Sequence, residues 1–110
     1  MPVKFDINET LAQMLGAVKD TVKDNWSQVV TPASQFLQNR KDRLALLSDL
    51  LISGDLTKKK FLSRLEDEKL VLQAELHAVA VLTKATAQRA ANAAIDALKG
   101  AVSAVIKGVL

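Results

Sequence analysis

The sequence predicts an all-α protein, a helical bundle of two medium helices and one long C-terminal helix, completed by oligomerisation. Three observations carry this expectation. Hydrophobic residues make up 49% of the chain and aromatic residues only 4%, so the apolar content is Leu, Val and Ala, a balance that favours helix over sheet. Apolar residues recur at steps of three and four rather than in alternation. From Thr57 to Leu110 there is no proline, and the only glycines are Gly100 and Gly108. At 110 residues the chain is long enough for one domain with a core of its own.

The first helix is expected over about residues 8–30. Asn8, followed by Glu9 and Thr10, can open it, and Leu11, Leu15, Val18, Val22, Trp26 and Val29 make one stripe along it. Trp26 is expected to pack in that valine-rich stripe. Thr31 before Pro32 reads as a restart, because Thr caps free amides and Pro is tolerated at a first helical position. A second helix over 32–52 then carries Phe36, Leu37, Leu44, Leu47, Leu50 and Leu51, with Arg40 and Arg43 interrupting that face or snorkelling from its edge.

The next stretch, SGDLTKKKF, has the cadence of a calcium-binding loop. Aligned to one, Asp49 takes its first position and Gly54 its sharp turn, but Leu51 and Lys60 fall where an oxygen ligand and a closing carboxylate belong. It therefore reads as a corner, with Gly54 as a left-handed helix stop and Asp55 or Thr57 capping the helix that follows.

That third helix is expected over 56–99, with continuation to 109. Unbroken from Thr57 to Leu110, it would span about 80 Å, too long for a compact monomer of this size. Either it breaks near Gly100 or its uncovered length packs on another copy. Leu65, Leu72, Leu76, Val79, Thr83, Thr86, Ala90, Ala93, Ala97, Gly100 and Ala104 follow alternating steps of three and four, the spacing of a coiled-coil seam. From Leu72 onward these residues are the expected self-association surface, the small ones letting two helices approach closely. A second stripe, Ile95, Leu98, Val102, Val105, Ile106 and Val109, lies beside it and is the candidate lipid-facing surface of an amphipathic helix.

Catalytic chemistry finds little support. His77 is the only histidine, and the chain has neither Cys nor Tyr. Glu75 stands two positions from His77 and so on another part of a helix surface, which makes His77 a rim or core residue. Glu66, Asp67 and Glu68 read as a solvated face. No Gly-rich phosphate loop occurs, and no cofactor and no metal is expected. The net charge is +3, and the basic excess lies mainly in residues 31–60 and 86–110. Its clusters, Arg40, Lys41 and Arg43 and then Lys58, Lys59 and Lys60, are interspersed with Asp42, Asp49 and Asp55 and lack interleaved aromatics, so nucleic acid is not the expected partner.

The expectation is a non-enzymatic, self-assembling structural or scaffolding protein, with a second copy as partner. The alternative is a protein that meets a membrane surface, or another helical protein, through residues 93–110. Residues 1–10 lack the apolar segment of a secretory signal, which suggests a cytoplasmic protein or one exported without an N-terminal signal.

Overall fold

Asp6 opens the first helix of the computed structural model, which describes residues 5–78 and 82–107. Its carboxylate accepts from the backbone N–H of Asn8 at 3.0 Å and of Glu9 at 3.2 Å, satisfying two of the free amides of a helix start. Asn8 is thus a residue of the helix rather than its cap, and α1 spans Ile7–Val22. Asp6→Ala is expected to lower stability by about 1 kcal/mol, read from urea denaturation followed by circular dichroism; an unchanged midpoint would show that the cap contributes nothing. Leu11, Met14, Val18 and Val22 form the buried stripe of α1.

The first helix stops well short of residue 30. A 3-10 turn, Lys23–Asn25, follows α1, and Lys23 adopts a positive φ of 52°. Asp24 and Asn25 are residues whose short polar side chains compete with helical backbone bonding, and they supply the local reason for the turn. The second helix, α2, then runs Trp26–Ser53 and carries Pro32 inside it, so the boundary expected at Thr31–Pro32 does not exist. Val29, Ala33 and Leu37, at four-residue spacing across the proline, are all buried, and this continuous face outweighs one missing donor. The carbonyl that loses its intrahelical partner belongs to Gln28, an exposed residue that water can reach.

The corner after α2 is built as the sequence suggests. Gly54 takes φ 86°, and its N–H reaches the Leu50 and Leu51 carbonyls. Asp55 and Leu56 also donate to the Leu50 carbonyl, at 2.9 and 3.0 Å. Thr57, the second of the two candidate caps, accepts from the Lys60 N–H at 3.2 Å, and α3 spans Lys58–Ala78.

The single long helix expected over 56–99 is two helices. The fourth, α4, spans Lys84–Ile106, and Thr83 caps it by accepting from the Thr86 N–H at 3.1 Å. Gly100 lies inside α4 rather than at a break, and Lys107, left-handed at φ 54°, ends the helix short of 109. Folding back covers the apolar side of α4 with the rest of its own chain, which a rod could achieve only by finding another molecule.

The four helices close in a ring: α1 packs on α2, α2 on α3, α3 on α4 and α4 on α1, with a smaller diagonal contact between α2 and α4. This is a four-helix bundle with short connections. Its long axis of 41 Å matches the length of α2, 28 residues or about 42 Å. Among the described residues there is no strand. The centre is filled by Met14 and Val18 from α1, Leu37 and Leu44 from α2, Phe61, Leu65, Leu72 and Leu76 from α3, and Leu98 and Val102 from α4. Trp26 is half-buried against this core.

Candidate functional site

The bundle divides the predicted self-association seam in two. Leu65, Leu72 and Leu76 are buried in the core of their own chain, as is Ala90. Thr83 is the cap of α4, Thr86 is half-buried beside it, and Val79 lies outside the described residues. The remaining members are at the surface of α4: Ala93 and Ala97 half-buried, Gly100 and Ala104 exposed. At Gly100 an added Cβ would meet nothing within 4 Å. Small residues do pack between α4 and its neighbours in the ring: Ala87, Ala91 and Ala94, together with Ala90, are all fully buried. Sequence reasoning missed those three because alanines surround α4 on several faces and each face has acceptable helical spacing.

The predicted lipid-facing stripe is largely internal. Ile95, Leu98 and Val102 belong to the core, Val105 and Ile106 are half-buried, and Val109 lies outside the described residues. For these side chains to meet lipid, α4 would have to leave α1 and α3. Among the described residues no helix is long and apolar enough to cross a membrane. His77 is exposed one residue before the end of α3, at the rim of the bundle. The described residues contain no group of three or more His, Cys, Asp or Glu able to hold a metal ion.

Three grooves run between neighbouring helices. Between α1 and α4, Phe5, Asp6, Glu9, Thr10, Gln13, Ala101, Ala104 and Val105 line a space of about 220 Å³. Ala104, the last residue of the surface strip, is part of its wall, so the strip borders this groove. A second groove of the same size separates α1 from α2, between Leu11 and Leu15 on one side and Leu37 on the other. The third, about 340 Å³, lies between α2 and α3 on the opposite side of the ring from the α1–α4 groove.

Next to this third groove is a feature absent from the sequence reading. Glu68, expected on a solvated face, is only 3% exposed and points into the α2–α3 interface. Its Oε1 accepts from Arg43 Nε at 2.6 Å and lies 3.6 Å from Arg40 Nη1. Its Oε2 is buried and has no hydrogen-bond partner among the described residues. Arg40 also lies over the Phe36 ring, 5.5 Å from the centroid. The signal was present in the spacing, since Glu68 follows Leu65 by three and precedes Leu72 by four, which sets it in the buried stripe. This arrangement also ties two members of the first basic cluster to a carboxylate, while Lys58, Lys59 and Lys60 stay exposed at the start of α3.

Desolvating a carboxylate costs several kcal/mol, and here one of its oxygens has no partner among the described residues. Glu68→Leu is therefore expected to leave stability unchanged or to raise it by about 1 kcal/mol, because Arg40 and Arg43 are both accessible to water once released. A loss above about 2 kcal/mol in urea denaturation would show that the ion pairs hold the helices together.

No protein-family model, characterised protein or solved structure matches this chain.

Proposed function

We propose that the chain is a non-enzymatic, self-assembling helical component of a larger structure, and that copies associate through the surface strip Ala93, Ala97, Gly100 and Ala104 on α4. The observation that supports this most directly is Gly100. It occupies an exposed mid-helix position with open space around it, although glycine there costs about 1 kcal/mol relative to alanine. A helix packed closely across this strip would use the missing side chain, as small-residue surfaces do wherever two helices approach at the short end of the usual range. The bundle leaves Gly100 and Ala104 exposed and Ala93 and Ala97 half-buried, while Ala90, Ala94, Leu98 and Val102 of α4 fill its interior.

The inventory of reactive groups supports the non-enzymatic part of the reading. The single His77 stands at an exposed helix end, without a carboxylate hydrogen-bonded to it among the described residues. A coiled-coil seam extending back to Leu72 would require the core to open, so the proposed contact is confined to residues 93–104. Deleting residues 93–110 cannot separate assembly from lipid binding, because it also removes Leu98 and Val102 from the core. Point substitution in the strip, read by particle mass and by liposome flotation in parallel, does separate them. Loss of mass without any flotation by the parent protein supports self-assembly; flotation by a monomeric parent protein supports the membrane-surface alternative.

A further inference from the structure

We propose that the groove between α2 and α3 is a docking site for an acidic peptide segment, one that offers a carboxylate to Arg40 in the groove wall and to Arg43 one turn further along α2, and an apolar side chain to Phe36 and Val71. This surface lies across the ring from the α4 strip, and the proposal stands independently of self-assembly.

The anionic end is prepared by Glu68. Its buried carboxylate engages Arg43 through Nε alone, and the Arg43 Nη groups have no acceptor among the described residues, although the side chain is half exposed. Arg40 stands 3.6 Å from the same oxygen and is steadied by the Phe36 ring. At this end of the groove two guanidinium groups face one carboxylate, a local surplus of one positive charge, and Glu75 stands about 10 Å further along α3. Guanidinium N–H groups match a second carboxylate in geometry as well as in charge. Because a buried anchor and an aromatic ring already restrict both arginines, less side-chain entropy is lost when a ligand binds.

The rest of the groove selects the kind of ligand. Pro32, Phe36 and Val71 are apolar, and Val71, 37% exposed, follows Leu46 and Leu70 as the third exposed large apolar side chain among the described residues. Gln35 and Asn39, one helical turn apart on α2, offer carboxamides able to donate to and accept from a peptide backbone. Glu75 closes the α3 side with a negative charge. A polyanion such as a nucleic acid strand would be repelled there, whereas one acidic residue beside an apolar one is accommodated. Charge and shape thus point to a peptide carrying a single carboxylate.

The test is an amide chemical-shift titration of the full isotope-labelled chain with acetyl-Ala-Leu-Glu-Leu-Ala-amide, with the peptide containing Gln in place of Glu, and with a short single-stranded oligonucleotide. The acidic peptide is expected to shift residues 35–43 and 68–75 and to bind about tenfold more tightly than the Gln peptide, the difference of one charge-assisted contact. Val71→Glu, which adds a carboxylate at an accessible position, is expected to weaken binding by at least about tenfold with helicity retained. If that variant does not fold, Arg40→Gln, which breaks no short hydrogen bond, is expected to give the same loss. Equal binding of both peptides, shifts centred elsewhere, no response at millimolar peptide, or a response to the oligonucleotide alone would each overturn the proposal.

Discussion

Phe61→Ala is expected to lower the stability of the bundle by about 3–5 kcal/mol. Phe61 is 0% exposed and heads the fully buried side chains by volume. It lies in the first turn of α3, where its N–H is bonded to the Thr57 carbonyl at 2.9 Å, so the surroundings are fixed by the corner on one side and by the core on the other. A site held in this way collapses little around the lost ring, and the cavity adds to the lost transfer free energy. A small domain has about 5–15 kcal/mol of stability in total, so this one substitution removes a large fraction of it. Urea denaturation followed by circular dichroism measures the effect; a loss below about 1 kcal/mol would mean that Phe61 is not packed as described.

The second large effect is expected on assembly rather than on folding. Gly100→Glu places a charged side chain in the middle of the strip Ala93, Ala97, Gly100 and Ala104, and is expected to reduce the assembly to monomer. The substitution is well suited to the purpose because the fold has no reason to resist it. Gly100 is exposed, it is helical without a positive φ, and an added Cβ meets nothing within 4 Å. Glutamate is also a better helix former than glycine, by about 0.5 kcal/mol or more. The variant should therefore melt at the same temperature as the parent monomer or higher, while losing mass on a sizing column. A variant that keeps the parent's mass would place the contact elsewhere.

Much of the architecture was legible because it follows from local spacing. The helical character, the burial of Leu11, Val18 and Val22 in α1, and the corner with Gly54 as stop and Thr57 as cap all rest on residues within a few positions of one another; Met14, fully buried, was missed from that stripe, Leu15 is only half-buried, and Trp26 and Val29 belong to α2. The failures occurred where tertiary packing overruled a local rule. Pro32 looks like a boundary, yet Val29, Ala33 and Leu37 need a continuous face across it. The α3–α4 reversal has neither Gly nor Pro to announce it; only Thr83, three residues before Thr86, signals a new helix start. Glu68 was assigned to solvent by its neighbours Glu66 and Asp67, whereas its spacing from Leu65 and Leu72 assigns it to the interface. The surface strip on α4 was legible as a pattern, but which of its members remain outside depends on how α4 packs within the ring, and no spacing rule states that.

The most direct test of self-assembly is the absolute mass of the parent protein, measured by light scattering on a size-exclusion column across a hundredfold range of loading concentration. The expected result is a mass several times 11.9 kDa that persists on dilution and falls to that of one chain in Gly100→Glu. A parent protein that elutes as a single chain at every concentration would contradict the proposal and leave the α4 strip as surface without an assembly role.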